Sequence, residues 1–150
     1  QLLLLGISAM GIVVGVVFTV FAKLFITILY GKEYYPAIPS LAILIWSTSF
    51  AMVGTARGVW IVAERKNKYQ KYFTIIGAVV NAALNAIVIP IWGITGASVT
   101  TLLSQICVAV LTPYLFKETK EFSSLYFDSF KLAPEAATLV KRYIKQAVRR

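Results

Sequence analysis

Apolar residues run almost unbroken through four stretches, 2–29, 38–62, 73–90 and 97–116, and polar residues collect in the short intervals between them. Each stretch has roughly the 17–25 or more apolar-dominated residues that an α-helix needs to cross about 30 Å of hydrocarbon. A helix in water needs a polar face, and these stretches are apolar nearly all round. The pattern predicts an all-α, polytopic membrane protein with four transmembrane helices over residues 1–120 and a polar tail over 121–150. Proline and glycine punctuate the boundaries. Pro36 and Pro39 open the second stretch, where proline suits a first turn. Pro90 and Gly93 close the third.

Composition agrees with the pattern. The chain is 59% hydrophobic and 14% charged over its 150 residues, outside the range of soluble globular domains. Its net charge of +9 would suit nucleic acid, but the bases sit beside the apolar stretches instead of on one face. No nucleic-acid partner is expected, and membrane lipids are the natural partner of bases so placed. There is no histidine and one cysteine, Cys107, so the commonest metal ligand and the commonest general base are missing. No phosphate-binding glycine loop, zinc motif or pair of intramembrane acids occurs. The chain is expected to be no enzyme and to hold no cofactor and no metal.

Charge also orients the helices. Interval 30–37 sums to zero, interval 64–71 carries four bases and one acid, interval 91–96 is uncharged, and 117–150 carries eight bases and four acids. Basic loops stay on the cytoplasmic side, which places 64–71 and the C-terminus inside the cell. Tyr30, Tyr34, Tyr35 and Trp92 fall at the outer interface, and Trp60, Tyr69, Tyr72 and Tyr114 at the inner one. In the tail, Phe122, Leu125, Tyr126 and Phe130 have helical spacing. A second tail helix, opened by Pro134, would segregate Ala137, Val140, Ile144, Ala147 and Val148 from Lys141, Arg142, Lys145 and Arg149. Two readings suit it: a basic amphipathic helix on the inner leaflet, or a solvated end.

Polar groups at membrane depth are costly and therefore candidates for function. Arg57 lies eight residues before Arg65, about 12 Å deeper along the helix. It fits two roles. It can line an aqueous cavity and bind a phosphate, or it can snorkel or cap carbonyls of a neighbouring helix. Lys23, near the outer end of its stretch, reads as snorkelling outward. Asn81 and Asn85 are four apart and share a face, suited either to helix contacts or to a polar path. Ser98, Thr101, Ser104 and Gln105 form a polar stripe on the fourth stretch, and Gln105 is best equipped to bind a hydroxylated ligand. Gly11 and Gly15 form G-x-x-x-G, with Gly6 extending the small-residue run, a pattern of close helix packing.

Two strings carry a family resemblance. Residues 29–36 (LYGKEYYP) are similar to the fG-x-x-Y-x-x-A turn of polysaccharide flippases, and an apolar helix with a basic end (AERKNK, 63–68) follows here as it does there. Residues 81–98 (NAALNAIVIPIWGITGAS) resemble the signature N-x-x-L-N-x-x-L-I-P-x-x-G-x-x-G-A-A of the same group. Over about residues 1–120 the chain thus resembles the C-terminal domain of O-antigen (Wzx-type) flippases, in the multidrug/oligosaccharidyl-lipid/polysaccharide exporter superfamily. The resemblance implies twelve or more helices in two lobes and both chain ends in the cytoplasm. It also implies movement of a lipid-linked oligosaccharide (a polyprenyl-pyrophosphate sugar) across the cell membrane by alternating access. This chain would supply the last four helices, and its partner would be an N-terminal lobe of the same polypeptide. Under that reading Arg57 adds positive potential for the pyrophosphate, and Asn81, Asn85 and Gln105 contact sugar or neighbouring helices. Gln105 stands where many relatives carry an acid, which weakens a proton-coupling role for this segment. Two other readings compete: an ion-coupled multidrug exporter of the same superfamily, and a small four-span structural or assembly subunit.

Overall fold

The computed structural model describes residues 1–135 and 138, and every described element is helical. Helix α1 spans Leu2–Leu29, α2 spans Ile38–Ala63, α3 spans Lys68–Ile106 and α4 spans Lys120–Lys131. A 3-10 segment, Lys32–Ala37, joins α1 to α2. A π-helical turn, Cys107–Leu111, and a 3-10 turn, Thr112–Leu115, extend α3. Three helical units are long and apolar enough to cross a membrane: Leu2–Leu29, Lys32–Ala63 and Lys68–Leu115.

The third unit is bent double. Gly93 has φ 57° and ψ −137°, a backbone state that is essentially closed to residues with a Cβ. Pro90, three residues earlier, lacks the N–H that would carry the helix on. Together they turn the chain, so that 68–92 and 94–106 form the two legs of a hairpin. Cross-leg neighbours mark an antiparallel course: Gly77 faces Val108, Asn81 faces Ser104, Asn85 faces Thr100, and Gly96 faces Val88. The predicted stretches 73–90 and 97–116 correspond to these legs. The second leg leaves α-helical geometry from Cys107 onward instead of running as one helix to 116.

Small residues bring α1 and α2 together. A Cβ on Gly11 would lie 2.8 Å from the Ser49 Cβ, and one on Gly15 would lie 3.1 Å from the Trp46 ring. The approach is tight enough for Ser49 Oγ to donate to the Gly11 carbonyl at 2.9 Å and Trp46 Nε1 to donate to Thr19 Oγ1 at 3.1 Å. Gly6 has nothing near it, so it is not part of this contact. At the far end of α1, Thr27 Oγ1 meets the Tyr35 hydroxyl at 3.3 Å. Lys23 is exposed and directs its ammonium toward the Tyr35 ring, 5.6 Å away.

Helix directions alternate, which puts the Lys32–Ala37 segment and the Gly93 turn at one end of the bundle and residues 64–67 and 116–119 at the other. The grouping matches the charge pattern, with the basic intervals side by side. Lys66 bridges Glu64 at 3.9 Å and Glu121 at 3.7 Å, and Phe116 packs on Tyr69, Tyr72 and Phe73. The buried core concentrates toward this end, where Ile61, Tyr69 and Phe73 form one cluster and Leu4, Val53, Ala56, Ala109, Phe122 and Tyr126 another. Elsewhere the outer surface is apolar: Val20 is 69% exposed, Val79 61% and Ile87 65%. Apolar cover on that scale suits a lipid solvent.

The first tail helix forms with the spacing expected of it. Phe122 and Tyr126 are buried and Leu125 is half-buried. It does not stop beneath the helix ends. Phe122 lies against Trp60, with ring centroids 5.7 Å apart, and Tyr126 and Phe130 reach a crevice shared with Ser8, Ile12 and Trp46. The α1–α2 pair leaves an apolar groove, and the aromatic face of α4 fills part of it. The basic amphipathic segment expected beyond Pro134 lies outside the described residues, Glu135 and Thr138 excepted.

Candidate functional site

The hairpin legs carry the polar residues, and the turn at Gly93 brings them face to face. Asn85 Nδ2 donates to Asn81 Oδ1 at 2.9 Å, and Asn81 Nδ2 donates to Ser104 Oγ at 3.3 Å. Thr100 Oγ1 donates to Asn85 Oδ1. Ser104 Oγ donates back to Thr100 O of its own leg at 2.7 Å, and the single Thr100 hydroxyl proton is shared between Asn85 Oδ1 and Ala97 O, the latter 2.9 Å away. The result is a continuous ladder of amides and hydroxyls between the legs. Gly77 and Gly96 allow it to close, because a Cβ at either would come within 2.9 Å of the opposite leg.

Beside the ladder is a cleft of about 320 Å³. Asn81, Thr101, Ser104 and Gln105 supply its polar wall, and Thr74 lies at its rim; Phe73 and Val108 stand at the end nearer the basic loops. Every polar group in this lining is uncharged. Amides and hydroxyls offer both donors and acceptors, the complement of a ligand carrying several hydroxyls. Gln105 makes no hydrogen bond with another described residue, so its amide is available to the cleft. Of the four site residues named from sequence, Asn81 and Gln105 meet in the cleft. Asn85 sits about one turn nearer Gly93 and is held between Asn81 and Thr100.

Arg57 is elsewhere. It is 3% exposed and does not line the cleft. Its Nη1 donates to the Val108 carbonyl, its guanidinium carbon lies 4.3 Å from the centroid of the Phe73 ring, and its Nε has no partner among the described residues. Between the two roles that suit Arg57 in the sequence, this geometry is carbonyl capping across helices. No described carboxylate lies within ion-pair distance, so the charge is offset by one charge-assisted hydrogen bond and by the ring face.

Backbone chemistry explains why Val108 needs a donor. The Thr112 N–H bonds back five residues to Cys107 O, which makes the turn π-helical. The next donor in that series would be residue 113, and it is a proline. Val108 O is therefore left to two side chains, Thr112 Oγ1 at 2.6 Å and Arg57. Phe73, Val108 and Pro113 are not polar and escaped a search for polar residues at membrane depth. A proline inside the fourth apolar stretch was the available signal, since it must strand a carbonyl one turn before it.

A larger groove, about 590 Å³, runs between α1, α2 and α4, lined by Leu4, Ile7, Val59, Trp60 and Leu125 among others. It is almost wholly apolar, whereas the hairpin cleft presents amides and hydroxyls from both legs. Comparison with protein-family models, curated proteins and solved structures finds no match.

Proposed function

We propose that the chain is the C-terminal part of a flippase that moves lipid-linked oligosaccharide across the cell membrane by alternating access. In this reading α1, α2 and the two legs of α3 are four spans, with residues 64–67 and the C-terminal tail on the cytoplasmic side. An N-terminal lobe of the same polypeptide would complete the transport path. The observation that carries the reading is the convergence of Asn81 and Gln105 with Thr101 and Ser104 on one uncharged cleft. Asn81 opens the segment 81–98, whose Asn, Pro and Gly spacing resembles the flippase signature, and the other three follow that segment on the second leg. Asn81 and Gln105 contact sugar hydroxyls, and Asn85 fixes the Asn81 amide through its 2.9 Å bond.

The test uses the native polypeptide that contains this sequence, reconstituted in liposomes with a fluorescent polyprenyl-pyrophosphate oligosaccharide in one leaflet. Each of Asn81→Ala and Gln105→Ala removes about one ligand hydrogen bond, and flipping should slow by about 2–10-fold. Flipping at the wild-type rate, with equal protein in the membrane, rejects the cleft as the sugar site. Cysteine-accessibility mapping at positions 32, 66, 92 and 118 tests the span count. The four-span reading requires 66 and 118 to label from the inside and 32 and 92 from the outside.

A further inference from the structure

We propose that Arg57 is a positioning residue, a pin that holds the π turn at Cys107–Leu111 and thereby sets the rotational register of the segment closing the cleft. The proposal concerns the bundle itself and holds for any ligand the cleft takes. Three elements meet at this one side chain. Arg57 belongs to α2, the Phe73 ring under its guanidinium belongs to the first leg, and the Val108 carbonyl it caps belongs to the second. Val108 is fixed from the other side as well, because its Cγ2 occupies the space that a Cβ on Gly77 would need, 2.7 Å away. Phe73 and Val108 are also the end wall of the cleft.

A π turn holds one more residue than the α-helical turn it replaces. Converting it to α geometry rotates everything beyond it by about 100°, one residue's share of a 3.6-residue turn. The first aromatic side chain carried around is Tyr114, and the decisive one is Phe116, which now packs on Tyr69, Tyr72 and Phe73 at centroid distances of 5.1, 5.7 and 5.8 Å. Rotation removes Phe116 from behind Phe73 and frees the end wall. Pro113 gives the device its sensitivity. It removes the main-chain donor that would otherwise hold Val108 O in a π turn, so the job falls to two side chains, Thr112 Oγ1 on the same segment and Arg57 on another helix. Movement of α2 against the hairpin is thus coupled to the geometry of the cleft end.

The experiment follows amide hydrogen exchange by mass spectrometry in peptides covering 105–116, in the native polypeptide in detergent. Arg57→Met keeps an unbranched, flexible stem, shorter than that of arginine, and removes its donors. Exchange in 105–116 should rise about fivefold or more, the equivalent of one lost hydrogen bond, while peptides from the α1–α2 contact stay unchanged. Adding Pro113→Ala restores an N–H at 113 that can reach Val108 O, and it should return exchange toward the wild-type level. Pro113→Ala should not correct Gly11→Ala, which disturbs a different contact. Arg57→Lys, which retains a cation with its donors on one nitrogen, provides a gentler variant should Arg57→Met fail to fold. Its smaller rise should vanish in the Pro113→Ala background. Unchanged exchange in Arg57→Met, or a rise in either Arg57 variant that Pro113→Ala leaves in place, overturns the pin.

Discussion

Alanine at Gly11 tests the helix pairing on which the rest of the bundle is built. The new Cβ would lie 2.8 Å from Ser49 Cβ, 2.9 Å from its Oγ and 3.3 Å from its Cα. Carbon atoms rest about 3.5–4.0 Å apart, so α1 must retreat from α2 by about 1 Å. Turning the Ser49 side chain does not relieve the contact, because one of the crowding atoms is backbone. Overpacking of this kind costs about 1–3 kcal/mol. The bond from Ser49 Oγ to Gly11 O, now 2.9 Å, is lost with the retreat. Such bonds average about 0.6 kcal/mol in membrane proteins. Against this, alanine improves helix propensity by about 0.8–1.0 kcal/mol on scales measured in water. Gly6→Ala carries the same propensity gain and meets nothing within 4 Å. The difference between the two variants isolates packing and should be about 1.6–3.6 kcal/mol, from the overpacking and hydrogen-bond figures together. Reversible unfolding in mixed detergent micelles, or steric trapping in bicelles, measures it. Equal stabilities for Gly6→Ala and Gly11→Ala, within about 0.5 kcal/mol, would mean that α1 and α2 do not meet at Gly11.

Other consequences can be checked separately. Gly93→Ala forces a Cβ into φ 57°, ψ −137° and should destabilise the hairpin by about 1–3 kcal/mol. Disulfide trapping between Asn81→Cys and Ser104→Cys, with Cys107→Ser, should be efficient with Gly93 and fall sharply with alanine there. Trp46→Phe deletes the 3.1 Å bond to Thr19 and should cost about 0.6 kcal/mol plus a small packing loss, with little further effect from Thr19→Val in the same chain. Lys131 Nζ, 2.6 Å from Asp128 Oδ1, holds the Asp128 carboxyl below its ordinary 3.8. A depressed carboxyl contributes stability that is complete above its unfolded value and lost as pH falls through the folded one. The last turn of α4 should therefore fray only below about pH 3.8. Amide exchange in 126–132 should show no such step in Asp128→Asn.

Hydropathy revealed the long apolar helices because an apolar solvent would act on whole segments, and a helix in lipid must be apolar along its length. The hairpin was legible for a local reason: Pro90 and Gly93 break a helix whatever surrounds them. Helical spacing also placed Asn81 with Asn85 and Thr101 with Gln105. What it could not supply was the neighbour opposite each face. The glycine run shows the limit: Gly6, Gly11 and Gly15 look alike in sequence, yet only the last two touch α2. The α4 aromatics were assigned to one helical face, but the groove that receives them exists only once α1 and α2 have paired. Arg57 is the deepest case. Its partner is a main-chain carbonyl on a valine, and side-chain patterns carry no record of which carbonyls lack donors. That information lay in Pro113, 56 positions away in the chain. A lone cation in one span and a proline in another are each ordinary. Their pairing makes sense only through the π turn that joins them, so a charge buried without a counter-ion is best traced first to an unpaired backbone group and only then to a ligand.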